Sequence, residues 1–171
     1  NSSGSTGSNY SATFPEQTAT TLAATDAPVT AGLNAYSTNL SGMTVTLTNP
    51  LDGAAESLTA TTTGTNITAS YDSGTGVLSL TGSDTAANYQ TVLRSILYNN
   101  TSDNPTTTNR SITVVATDPY GGNSSTATTT LSITRVNDAP VITSNGGGAT
   151  ASISVAETLT SVTTVTSTDA E

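Results

Sequence analysis

The run RSITVVATDPYGGNSSTATTTLSIT, residues 110–134, decides the class of fold. Near its start Ile112, Val114 and Ala116 recur at every second position; near its end Ala127, Leu131 and Ile133 keep the same rhythm among Thr and Ser. A period of two puts the apolar set on one face of an extended strand and the hydroxyl-bearing set on the other. Between the two halves lies DPYGGNSS, a cluster of turn-forming residues. The stretch therefore predicts two half-buried strands joined by a turn.

The rhythm continues upstream. In TVTLT (44–48) Val45 and Leu47 share a face; NITASY (66–71) places Ile67, Ala69 and Tyr71 inward; GVLSLTG (76–82) contributes Leu78 and Leu80. Turn signals separate the strands: TNPLDG (48–53), DSGTG (72–76) and DNPTTTN (103–109). Their aspartates, Asp52, Asp72 and Asp103, are expected to be turn residues. Short strands about ten residues apart with Gly, Asn and Pro between them predict an all-β sandwich. One segment departs from the period, SDTAANYQTVLRS (83–95), where Ser83 or Asp84 is expected to cap one or two helical turns.

Composition narrows the function classes. The 171-residue chain carries 40 Thr and 23 Ser, three Arg, no Lys, no His and no Cys, with a formal charge of −9. Such a composition suits either a disordered stalk or strands with a Thr-covered solvent face, and the alternation selects strands. Excess acid argues against nucleic-acid partners, whose phosphates need Lys and Arg. Without His or Cys the commonest general base and the strongest nucleophile are missing, so no enzyme is expected. No apolar run reaches the ~20 residues of a membrane span, so no membrane insertion is expected. Acidity and Thr-richness point to an extracellular, secreted or cell-surface protein.

Two stretches carry a family resemblance. SYDSGTGVLSLTG (70–82), followed by RSITVVATDPYGGNSSTATTTLSITRVNDAP (110–140), resembles the cadherin-like, Ig-like repeats of large bacterial surface adhesins, with VNDAP at the place of the family's linker. VAETLTSVTTVTSTDAE (155–171) is similar to the opening of a following repeat. The resemblance implies a Greek-key β-sandwich of about seven strands over 11–136, a linker at 1–10, an inter-repeat linker at 137–148, and the start of a second repeat at 149–171. It also implies Ca²⁺ at the junction between repeats, where a hard cation needs six to eight oxygen ligands. Carried over by position, the ligands are Asn137 and Asp138 from the linker, Glu16 and Asp84 from the first repeat, and Asp169 and Glu171 from the second. Asp118 would face a preceding repeat and Glu157 a later junction. Arg135 stands where the family often has Asp, which would weaken the site.

These features imply an adhesion or spacer module whose partners are neighbouring repeats or identical molecules. Two alternatives stay open. Residues 149–171 could complete a sandwich in a neighbouring molecule, building an extracellular filament, or could simply be the cut-off start of a repeat. A carbohydrate-binding sandwich, acting through Tyr10, Tyr36, Tyr98 or Tyr120, is the second. Asp118–Pro119 is an acid-labile pair at which self-cleavage is conceivable, but a turn accounts for it.

Overall fold

The computed structural model describes residues 8–29, 38–148, 150, 152–158 and 164–169. The chain forms two compact units, Asn1–Arg135 and Val136–Glu171.

The first unit is an all-β sandwich. Its strands are β1 (Tyr10–Pro15), β2 (Thr20–Thr21), β3 (Asn39–Leu47), β4 (Glu56–Thr59), β5 (Thr68–Asp72), β6 (Val77–Thr85), β7 (Leu97–Asn100), β8 (Arg110–Thr117) and β9 (Ala127–Thr134), with one helix, α1 (Ala86–Arg94). Six strands make one sheet in the order β1-β9-β8-β3-β6-β5, and three make the other, β2-β7-β4. Nine strands, two more than expected, are thus described.

Alternation explains the larger sheet. In β3 the buried Met43, Val45 and Leu47 face the core while Thr44 faces out. Leu40 is buried as well, three positions before Met43, because the pairing with β6 slips between Leu40 and Gly42 and reverses the parity. On the opposite face Thr46 sits beside Thr113, and Thr113 beside Thr128. The Thr tracts are therefore the solvent side of the pleat. Within β9, Thr129 falls on the inward face, and its hydroxyl donates to the Leu22 carbonyl at 2.8 Å. Ala69, expected inward, does lie opposite the buried Leu80 but is exposed, because β5 is the sheet's outer edge.

The smaller sheet carries no apolar alternation. Its inward positions are Glu56, Leu58, Tyr98 and Asn100, so half of them are polar. Apolar contacts join the sheets: the Phe14 and Tyr98 rings meet edge to face with centroids 5.0 Å apart, and Leu22, Leu58, Leu78, Ile112 and Leu131 belong to the same buried cluster. Helix α1 starts later than expected. Thr85 is its cap, the hydroxyl accepting from the Asn88 backbone N–H at 3.2 Å. It buries Tyr89 and Val92.

In the second unit β10 (Val141–Ile142) pairs antiparallel with β11 (Ser167–Thr168), and Ser144–Gly147 forms a 3-10 turn. None of its described residues is buried. Val141, Ile142, Ile153, Val155 and Val165 are all exposed. Residues 152–156, read as strand-like from Ile153 and Val155, belong to no strand. Among the described residues no helix is long and apolar enough to cross a membrane.

Candidate functional site

The most elaborate constellation of polar side chains lies inside the sandwich. Arg110, at the start of β8, is fully buried. Its Nε donates to Glu56 Oε1 at 2.5 Å and its Nη2 to Asp52 Oδ2 at 2.7 Å. Nη1 donates to the carbonyls of Thr106 at 3.0 Å and Thr108 at 2.5 Å. Glu56, fully buried on β4, also accepts from the Tyr98 hydroxyl at 2.6 Å and from the Asp52 backbone N–H at 2.9 Å. Asp52 accepts from the Thr106 hydroxyl at 2.6 Å, the Thr106 backbone N–H at 3.0 and 3.1 Å, and Asn100 Nδ2 at 2.7 Å.

Two carboxylates therefore share one guanidinium, and neutral donors stabilise the surplus negative charge. This arrangement ties β8 of the larger sheet to β4 and β7 of the smaller one. Burial raises the Asp52 carboxyl, but hydrogen bonds from Thr106 and Asn100 and the Arg110 charge outweigh it, holding Asp52 below the usual carboxylate range. Burial, then the hydrogen bond to and the charge of Glu56, push the Tyr98 phenol far above its ordinary value. With Asp52 and Glu56 saturated by internal donors, the cluster is a structural lock. Asp52 is thus more than the turn residue it reads as. The sequence signal was available: Arg110 is one of three cations, and it occupies an inward strand position.

The residues expected to hold a cation divide sharply. Asp84 is buried, and its carboxylate accepts three N–H groups at 2.7 Å: Asn66 N, Thr85 N and Asn88 Nδ2. These bonds, the one from Asn66 foremost, hold its pKa below the ordinary value. Asp84 therefore joins the α1 N-terminus to the 62–67 turn. Asp118 accepts the backbone N–H groups of Tyr120 and Gly122, each at 2.8 Å, closing the β8–β9 connection. Glu16 follows β1 with a buried side chain, and its backbone N–H donates to the Thr134 carbonyl at 2.9 Å. In the second unit Asn137, Asp169 and Glu157 are exposed and Asp138 is half-exposed. Asn137 Nδ2 donates to the Asp138 carbonyl at 2.5 Å. Glu171, Asn34 and Tyr36 lie outside the described residues.

A hard cation fits the donor chemistry of the second unit better than that of the first. Residues 136–171 hold Asp138, Glu157, Asp169 and Glu171 and no Arg or Lys. The three Arg side chains are engaged within the first unit: Arg110 as above, Arg94 Nε on the Ala27 carbonyl at 3.1 Å, and Arg135 Nε on the Pro105 carbonyl at 2.9 Å. Within either unit, among the described residues, no three carboxylates are gathered as a ready metal cage.

The sugar-stacking tyrosines also divide. Tyr98 is wholly buried, so it offers no face to a ligand, whereas Tyr120 is 69% exposed in a turn. Tyr10 lines an apolar cavity of about 320 Å³ together with Leu22, Ala24, Leu93, Val114 and Thr129. No protein-family model matches the chain, and neither a curated protein nor a solved structure shows significant similarity to it.

Proposed function

We propose that the chain is a non-enzymatic structural or adhesive β-module of an extracellular surface protein, of the cadherin-like kind, joined end to end to neighbouring modules and stiffened by Ca²⁺ at the junction. The observation that carries this is the division of acidic groups. Asp52, Glu56, Asp84 and Asp118 each accept hydrogen bonds within the first unit, while Asp169 is exposed and Asp138 half-exposed in a unit whose sequence holds no Arg or Lys. Asn137, Asp138 and Asp169 are the residues that would hold the ion, with Glu171 as a further carboxylate. Calcium would supply a charge that bridges carboxylates which otherwise repel across the linker. Arg135, two residues before Asn137 in the chain, would weaken the ion's binding through its charge.

The test is melting in calcium against melting in chelator. Calcium should raise the melting temperature, as any ligand specific to the folded state does, and Asp138→Ala should blunt the rise. Identical melting in both buffers would leave the fold and remove the metal.

A further inference from the structure

Six of the eight exposed large apolar residues, among those described, lie in the second unit. Two of them, Ile153 and Val155, sit two positions apart in Ser152–Ala156, an alternating sequence that belongs to no strand. The first unit has a feature of matching chemistry. Strand β5, Thr-Ala-Ser-Tyr-Asp, is the outer edge of the six-stranded sheet. Natural edges are guarded by Pro, Lys, bulges or extreme shortness. Of the larger sheet's two edges, β1 ends in Pro15; β5 contains neither Pro nor a basic residue, and its register with β6 runs without a slip. Its core-side positions are incompletely covered: Ala69 is exposed although it faces the buried Leu80, and Tyr71 is only half-buried.

We propose that residues 152–156 of one copy add to the β5 edge of a second copy as an antiparallel seventh strand. The register follows from shape and charge. Val155 opposite Ala69 covers the small residue, and Ile153 then lies opposite Tyr71. Glu157 falls beside Ile67, about 17 Å along the strand from Asp72 at ~3.4 Å per residue. A parallel register would bring those two carboxylates together. Main-chain hydrogen bonds supply the affinity and the alternate apolar side chains the selectivity, as in other strand additions. Donor and acceptor are different surfaces, so the contact is head-to-tail and propagates into open chains or rings. It does not depend on calcium.

The test uses the full chain in chelator, so that loss of any calcium effect cannot mimic failure. Sedimentation velocity should show species heavier than the 17.0 kDa monomer, growing with concentration. Ile153→Asp/Val155→Asp, placed where no residue is buried, should leave only monomer. Ala69→Pro, which removes an N–H that points away from β6 at the β5 edge, should do the same. A one-to-one mixture of the two variants should restore a single species of twice the monomer mass, since each retains the half the other lacks. A wild-type chain that stays monomeric, a donor variant that assembles as wild type, or a mixture that does not pair would each overturn the proposal.

Discussion

Replacing Arg110 with Met tests the buried lock most severely. The guanidinium is fully buried and donates to Glu56, Asp52 and two loop carbonyls. Met keeps much of the stem's volume, so the loss is mainly charge and hydrogen bonds. Removing one partner of a buried ion pair costs about 3–5 kcal/mol, because the remaining charge stays buried without compensation. Glu56, with no exposed surface, is that charge. Over the first unit, Asn1–Arg135, an unfolding entropy of about 2.1 cal/mol/K per residue converts this into a fall in melting temperature of about 11–18 °C. Urea unfolding at neutral pH gives the free energy directly. The companion is the triple variant Arg110→Met/Asp52→Asn/Glu56→Gln, in which no charge remains to strand. It should recover part of the loss, since no charge is then left buried without compensation. A loss below about 1 kcal/mol for Arg110→Met, or a triple variant less stable than the single, would refute the view that the three residues act as one electrostatic unit.

Three further outcomes are expected. Leu131→Ala, fully buried on β9 between the sheets, should destabilise by about 2–5 kcal/mol in the same urea assay. Gly76→Ala should be costly, because Gly76 is buried with φ +70° and an added Cβ would stand 2.5 Å from the Leu47 carbonyl oxygen; melting temperature reads it against the milder control Gly121→Asn, where φ is +86° but the space is open. Acid should expose Asp52. Its folded pKa is depressed, so its contribution is present above the ordinary aspartate range and is lost as pH falls through the folded value. Asp52→Asn should lower stability at neutral pH and flatten the acid limb of a melting-temperature profile between about pH 5 and pH 2, and an unchanged limb would contradict the assignment.

The larger sheet was legible in the sequence because its inward faces are aliphatic: Val45 and Leu47, Leu78 and Leu80, Ile112, Leu131 and Ile133 all recur at period two and are buried. The smaller sheet was not. Glu56-Ser-Leu-Thr and Leu97-Tyr-Asn-Asn alternate inward residues as faithfully, but Glu56 and Asn100 break the hydropathy signal. Their burial depends on partners far along the chain: Arg110, 54 residues from Glu56, and Asp52, 48 residues from Asn100. The helix was visible, yet its cap shifted to Thr85 because Asp84 is occupied with Asn66 as well as with the helix end. Ala69 kept its predicted face but not its burial, since sequence does not say which strand will be an edge. Aspartate posed the hardest problem: Asp52, Asp84 and Asp118 all look like loop acids, and only the three-dimensional donors show which of them the fold consumes.

The proposal that calcium binds through the acidic residues of the second unit is tested most directly by calorimetric calcium titration of the full chain. Wild type should release or absorb heat on saturable binding, Asp138→Ala and Asp169→Ala should weaken it, and Asp118→Asn and Asp52→Asn should leave it as in wild type. Absence of binding in wild type, or binding that survives Asp138→Ala and vanishes with Asp118→Asn, would contradict the account.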